Sequence, residues 1–597
     1  KNFYLKAKRS VTKPTAEGPV AYILPADDPR TDSQAELLRV LQKQGVEISR
    51  ATAAFTIKLP VKKPAKPKQD DKEKAATAGA PTPAGTPAPA PAPPPAPTTR
   101  DFPAGSYIVR MDQPYSRIAD ALLDHQYWSP DDPQKTPYDD TGWTFGELFG
   151  VQVTRSIDPK VLDVSMERVK GIRAPGGVRG EGAIYAINNN AEPSLATLRY
   201  KLHDASIEAA EEPFESGGKK FSRGTFLLRN ITRAQLNDVV SELGLQAGPI
   251  SSMPSVKTHP VRAARVALVH TWLSTQGAGW WRVALDNLGI PYDLISTQIV
   301  ASTSDLNAKY DVILFPPVGT SSATAIINGL PSAWGNPLPW KNTPETPNLV
   351  GENDSTDDMR PGLGWEGVEH LQSFVEKGGV LVTATDTSQF ALSIGLAVGV
   401  SVGNAQKMKI VGSVVGTRLV DAASPIAYGY DEKLSAYCDN GPIFSLNNIS
   451  GGRGPRRLGV ETHTRPTGRG TMDDPDFTIG RPGVEVPEEP KPELWEAPPI
   501  TDEQRYNNFR MIPPADRARV IFRYADTKDL PISGLVEGGD EIAQHPAVVD
   551  VPTGTGHVIL FSINPLYRGE TRGTYSLLLN TILNFDSLNA GRKLAEK

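Results

Sequence analysis

A hydroxyl, a carboxylate and a histidine stand where strand ends could bring them together. The strand-like run Gly379-Val-Leu-Val-Thr-Ala384 leads straight into Thr385-Asp386-Thr387-Ser388. A helix-like segment over 368–377 and a Gly378-Gly379 stop precede it, so the context reads as helix, strand and tight turn. Such a turn presents a nucleophile when it carries cysteine or serine beside small residues, because the backbone must bend sharply and offer N–H groups to an oxyanion. Here it carries threonine and aspartate and no glycine. His270 follows the buried-type strand Arg265-Val-Ala-Leu-Val269, at the end where open α/β sheets bind ligands. His270, Thr385 and Asp386 are thus the catalytic candidates for a hydrolase-like reaction. Ser274, Gln276 and Asn564 are candidates to line a shallow polar pocket with Asp386. The alternative for all of them is capping and packing around the strand ends.

Other chemistry is poorly served. None of the eight histidines (125, 203, 259, 270, 370, 463, 545, 557) has a glutamate three residues later, and no His-Glu-x-x-His exists. The single cysteine, Cys438, rules out internal disulfides and cysteine-based zinc sites; it lacks an elbow context and reads as an incidental core or surface thiol. Gly362-Leu-Gly364-Trp-Glu-Gly367 has dinucleotide spacing, but Asp357-Asp358-Met-Arg-Pro361 precedes it instead of a strand, so it reads as a turn into a helix. The acidic run from Glu352-Asn-Asp354 to Asp357-Asp358 lacks EF-hand spacing. Arginines 453, 456, 457, 465 and 469 form a basic loop without interleaved aromatics. No metal or cofactor is expected in this chain.

The 597 residues are enough for about three or four domains. Hydrophobic content of 39% and charged content of 22% are those of a globular protein. A net charge of −5 argues against a nucleic-acid partner, and the lack of an 18-residue apolar run argues against a membrane span.

The elements that must position these groups fall into two patterns. The front half begins with a β-α-β unit: Val20–Leu24, a helix over 32–44 closed by Gly45, and Val46–Ala51. Residues 61–99 then turn to Lys/Pro and alternating Ala-Pro, a composition that predicts a disordered, polyproline-like linker. Phe102-Pro-Ala-Gly-Ser-Tyr-Ile-Val-Arg110 and Phe221-Ser-Arg-Gly-Thr-Phe-Leu-Leu-Arg229 share Phe, Gly, aromatic, aliphatic and Arg positions, and each leads into a helix. We therefore expect a duplicated β-α-β-β-α domain over 18–255, with copies at 18–125 and 181–245. From 262 to 597 the pattern becomes a doubly wound α/β series, with a surface insertion over 450–515.

Several stretches carry a resemblance. Tyr22–Arg30, Gly105–Tyr115, Tyr138-Asp-Asp-Thr-Gly-Trp143, Asp357–Gly367 and Gly573-Thr-Tyr-Ser-Leu-Leu-Leu-Asn580 resemble the region downstream of the catalytic domain in large bacterial carboxypeptidase A-like zinc metallopeptidases. The likeness covers nearly the whole chain except the linker and parts of 450–515. It implies that 262–597 is a flavodoxin-like domain similar to class I glutamine amidotransferases, and that 1–17 is the junction to an upstream peptidase domain. That domain would hold the zinc ligands; none has a counterpart here. The resemblance further implies a secreted or periplasmic parent that trims peptide C-termini. This chain would be its non-catalytic accessory or assembly portion. Its partners would be the peptidase domain or other protein subunits, with self-association also open. Two alternatives stay open: an independent hydrolase or amidotransferase-like enzyme at 270/385/386, and a cell-surface or carbohydrate-binding module using exposed tryptophans.

Overall fold

Short apolar runs bounded by Gly, Pro and Asp become the strands of three principal sheets in the computed structural model, which describes residues 1–59, 98–129, 132, 137–272, 274–331, 335–347, 355–449, 493–500 and 511–593. The linker expected over 61–99 lies outside the described residues up to 97. Most of the insertion expected over 450–515, its arginines, and Glu352–Asp354 also lie outside them. The chain forms two compact units. One comprises Lys1–Asp28, Leu38–Asp124 and Gln152–Ile172; the other comprises Pro29–Leu37, His125–Val151 and Arg173–Lys597.

The first unit opens with helix α1 (Asn2–Val11), so the residues expected to be a junction are helical here. Ser116 donates its hydroxyl to the Ser10 carbonyl at 2.7 Å, and Lys13 pairs with Asp120 at 2.8 Å. Then come β1 (Ala21–Leu24), α2 (Thr31–Lys43; its residues up to Leu37 belong to the second unit), β2 (Ser49–Ala51), a hairpin of β3 (Phe55–Lys58) and β4 (Thr99–Phe102), β5 (Tyr107–Arg110), α3 (Ser116–Leu123), β6 (Thr154–Ser156) and β7 (Met166–Arg168). Their sheet has the antiparallel order β6-β1-β5-β2-β7. A helix joins β1 to β2, so the two run parallel with β5 between them. Tyr22 faces Val109 across β1 and β5, and Phe55 faces Phe102 across the hairpin with ring centroids 5.2 Å apart.

In the second unit the same sequence of elements recurs: β8 (Ile184–Ile187), α4 (Ser194–Lys201), β9 (Ser206–Ala210), hairpin strands β10 (Phe214–Ser216) and β11 (Lys219–Phe221), β12 (Phe226–Arg229), α5 (Arg233–Glu242), β13 (Gln246–Ile250) and β14 (Thr258–Pro260). The order is β13-β8-β12-β9-β14, with a sixth short strand, Gly177–Val178, parallel on the outer side of β13; Tyr185 faces Leu228, and Phe214 faces Phe221 at a ring spacing of 4.8 Å. Each sheet thus carries two further strands, β6 and β7 or β13 and β14, beyond the ends expected at 125 and 245. The three residues of β6, Thr-Arg-Ser, have no apolar alternation that could announce it.

The boundary expected between 255 and 262 does not divide the units. Tyr185, Phe226 and Leu228 share one apolar core with Trp281, Val382, Phe561 and Leu578. That core covers one face of a large sheet built from β15 (Val266–His270), β16 (Asp293–Ser296), β17 (Val312–Phe315), β18 (Val380–Ala384), β19 (Lys409–Leu419), β20 (Lys433–Cys438), β21 (Arg519–Tyr524), β22 (Pro531–Glu537), β23 (Pro546–Thr553) and β24 (Gly556–Phe561). Helices α6 (Gln276–Leu288), α7 (Gly364–Glu376), α8 (Asp386–Ser393) and α9 (Tyr575–Leu583) flank it. Its parallel part runs β16-β15-β17-β18-β24, the doubly wound order expected of a flavodoxin-like fold. These strands are apolar on both faces because helices cover both. Beyond β24 the sheet turns antiparallel through β23, β21, β19 and β20, with β22 also on β19. None of this extension was expected.

Candidate functional site

The turn after β18 is a strained elbow. Thr385 has φ +49° and ψ −109°, a conformation costly for a β-branched residue and tolerated only where the surroundings impose it. Three hydroxyls and one amide impose it here. Thr387 donates to the Phe315 carbonyl at 2.7 Å and accepts from the Ala384 amide at 3.0 Å; Ser388 donates to the Phe561 carbonyl at 3.1 Å; Thr383 donates to the Ile559 carbonyl at 3.1 Å. The Thr385 amide donates to the Phe561 carbonyl at 2.8 Å. The glycine-poor sequence therefore still makes the bend, because buried side chains tie the turn to both neighbouring strands.

The cradle of amides beside the elbow is already filled. The Val318 amide donates to both oxygens of the Asp386 carboxylate at 3.2 Å, and the amides of Thr387, Gly319 and Thr320 also support the charge. Burial outweighs these amides and pushes the carboxyl above its ordinary range. The Thr385 hydroxyl lies 3.5 Å from an Asp386 oxygen, at the limit of a hydrogen bond. An anion developing at Thr385 would meet a carboxylate where an oxyanion needs donors.

A cavity of about 610 Å³ opens at this elbow, at the carboxyl ends of β17, β18 and β24. Ser274, Gln276, Thr385, Asp386 and Asn564 all line it, so the structure brings together five of the six residues singled out in the sequence. His270 is the exception. It lines a separate cavity of about 280 Å³ with Trp272, Arg282, Trp340 and Met359. Strand β17 lies between β15 and β18, which places the ends of those strands about 9–10 Å apart. His270 therefore does not complete a triad with Thr385 and Asp386. Its ring packs edge-on against Trp272 at 4.8 Å.

Trp280, one of the tryptophans of the carbohydrate-binding alternative, also lines the cavity, whereas sequence reading missed Gln389 and the group from the antiparallel extension and its neighbours, Tyr437, Asp439, Asn440 and Tyr567. Tyr437 and Tyr567 stack at 3.9 Å, and Asp140 accepts from their hydroxyls at 2.8 and 3.3 Å. Arg568 clamps Asp140 and Asp139 at 2.8 and 2.9 Å. Thr141 donates to the Val411 carbonyl at 2.6 Å, and a Cβ on Gly142 would lie 2.4 Å from the Ser533 carbonyl. The Tyr138–Trp143 motif thus docks a loop on the antiparallel strands and braces the cavity from behind.

The remaining motifs have structural roles. A Cβ on Gly362 would lie 2.5 Å from the Ile326 carbonyl, so the Gly-x-Gly-x-x-Gly stretch is a close-packed entry to α7. Arg360 grips Asp358 through contacts of 2.7–3.0 Å and holds its carboxyl well below the usual range. Cys438 is 1% exposed, and burial pushes its thiol up to about 11, so it is a core residue and a poor nucleophile. Among the described residues no group of three or more His, Cys, Asp or Glu is placed to hold a metal, and no helix is long and apolar enough to cross a membrane.

No family model and no curated protein matches the chain. Among solved structures it is similar to a β-galactosidase from Bacillus circulans sp. alkalophilus, at 12% identity and TM-score 0.25, over 53% of this chain and 31% of that one. A ThuA-like protein from Bacteroides uniformis is similar at 10% identity and TM-score 0.25, over 57% of this chain and 97% of that one. A β-galactosidase from Rahnella sp. R3 is similar at 12% identity and TM-score 0.23, over 60% and 36%. The chain thus spans about a third of the length of the β-galactosidases. Likeness at this level assigns no function; the chain is a mixed α/β protein with a flavodoxin-like parallel sheet.

Proposed function

We propose that this chain is a non-catalytic accessory module whose amidotransferase-like elbow has passed from chemistry to binding. The observation that carries this reading is the Asp386 carboxylate seated on the amides of Val318, Gly319, Thr320 and Thr387, the donors an oxyanion would need. The cavity lining contains neither histidine nor lysine to activate Thr385, and the one carboxylate beside its hydroxyl, Asp386, is bonded to the Val318 amide. The resemblance to the region downstream of carboxypeptidase A-like domains supports a place beside such a peptidase in an exported parent. The shared strand order, the Tyr22/Val109 and Tyr185/Leu228 pairs and the two stacked phenylalanine pairs support descent of the front sheets from one duplicated unit.

One observation favours the enzyme reading: backbone strain at Thr385 is the kind that active sites retain. A hydrolysis screen decides between them. The chain, Thr385→Ala and Asp386→Ala are assayed with p-nitrophenyl acetate, L-glutamine and a C-terminally blocked dipeptide. The expected result is the background rate for all three proteins. Turnover by the unaltered chain that is lost in Thr385→Ala would overturn the reading.

A further inference from the structure

We propose that the cavity beside the elbow binds a neutral, polyhydroxylated ligand, a saccharide residue, against the Trp280 indole and the side-chain amides of Asn564, Gln276 and Gln389. The inference rests on the reading of the elbow as a binding site and adds the class of ligand. Its strongest support is Asn564. This residue is 8% exposed, and its Oδ1 accepts from the Trp281 indole at 3.1 Å. That bond fixes the amide so that Nδ2 is left without an acceptor among the described residues, in the wall of the cavity. The amide therefore offers the cavity a donor that a ligand hydroxyl can accept from in place of solvent.

The rest of the wall has matching chemistry. Gln276, Gln389 and Ser321 line the cavity and make no side-chain hydrogen bond among the described residues. Amides and hydroxyls both donate and accept, as sugar hydroxyls do. The lining contains no arginine, lysine or histidine, while Asp386 and Asp439 add negative charge. A phosphorylated or acidic ligand would therefore be desolvated without a counter-charge, and the one amide cradle is closed by Asp386. A peptide strand is also disfavoured. The cavity sits at the ends of β17, β18 and β24, each hydrogen-bonded to neighbours on both sides, so no sheet edge is open for an added strand. Trp280 is half-buried in the wall and supplies the flat apolar surface that the C–H face of a pyranose can cover.

The test is calorimetric titration of the full chain with glucose, galactose, mannose, N-acetylglucosamine, cellobiose, lactose and chitobiose, and with glucose 6-phosphate and glucuronate as charged counterparts. At least one neutral sugar is expected to bind saturably. Trp280→Ala and Gln389→Ala should each weaken that binding tenfold or more with an unchanged thermal midpoint, and each charged counterpart should bind at least tenfold more weakly than its neutral form. Three outcomes overturn the proposal: no saturable binding by any neutral sugar, binding indifferent to both substitutions, or tighter binding of the charged sugars. Each leaves the non-catalytic reading standing, because only Thr385-dependent turnover sinks that.

Discussion

The two front sheets share an order and a register over five strands and differ in what they bury. In the first, the hairpin-covered face holds a core of its own, with Ala21, Ile23, Ile57, Phe102 and Ile108. In the second, that face shrinks to Ala186, Ala210, Leu227 and Ile250, while Tyr185, Ile187, Phe226 and Leu228 on the other face join the core of the large sheet. The hairpin tips differ as well. Gly217-Gly218 closes the second with φ +57° and +72°, a two-residue turn that favours glycine, whereas the first leads from Lys58 into the chain that returns at Thr99. The same local pattern thus yields one sheet that carries its own core and one that walls the core of the large sheet.

Removing a core side chain from each should expose this difference most strongly. Leu228→Ala should cost about 2–5 kcal/mol and speed hydrogen exchange across Val380–Ala384, because Leu228 and Val382 share a core. Ile108→Ala should cost a similar amount within the first unit and leave exchange at 380–384 unchanged. Faster exchange there in Ile108→Ala would erase the distinction.

A pH series comes next. Glu192, in the second sheet's β8–α4 connection, accepts from the amides of Asp32 and Ser33 at 3.1 and 3.3 Å and from the Ser33 hydroxyl at 2.9 Å. Burial, reinforced by Asp32, pushes its carboxyl up to about 7. The folded value lies above the unfolded one, so this stability is present at pH 4 and is lost as pH rises through about 7. Glu192→Gln should flatten that fall, on the order of 3 kcal/mol between pH 4 and 8, as read from urea midpoints. An unchanged slope would show that the carboxyl does not titrate there. In the matching loop of the first sheet, Asp28 accepts from the Gln152 amide at 2.7 Å.

Smaller effects belong to the hairpins. Phe55→Ala should cost about 2 kcal/mol and Phe214→Ala about 1 kcal/mol, since the first hairpin covers the larger core. Equal losses in thermal melts would mean that the hairpins cover equivalent surfaces. Replacing residues 59–98 by Gly-Gly, copied from the second hairpin, should raise stability by about 2–3 kcal/mol, because loop closure costs about 0.6 kcal/mol less with each halving of the loop. A loss of stability instead would assign the inserted chain a part in the fold.

The elbow shows where sequence reading succeeded and where it stopped. The run Gly379–Ala384 and the helix before it announced a strand ending in a turn, and the continuous apolar strands announced a parallel sheet. Glycine was the wrong indicator of the bend, because Thr383, Thr387 and Ser388 replace local permissiveness with hydrogen bonds to strands far away in the chain. Asn564 was legible as a strand-end polar residue, but the bond from Trp281 that fixes its amide was not. His270 shows the reverse error, a residue at the right kind of strand end but one strand too far away.

By itself, the sequence determined the local periodicities: which runs are strands, where helices stop, and that Phe102–Arg110 and Phe221–Arg229 repeat a pattern. These follow from neighbours within a few residues. Only the tertiary structure decided which strand ends meet, that Asp386 fills the amide cradle, and that Tyr437, Asp439 and Asn440 from an antiparallel extension complete the cavity. Such pairings join residues as distant as Ala384 and Phe561, and the burial of both sheet faces, not any local signal, selects them.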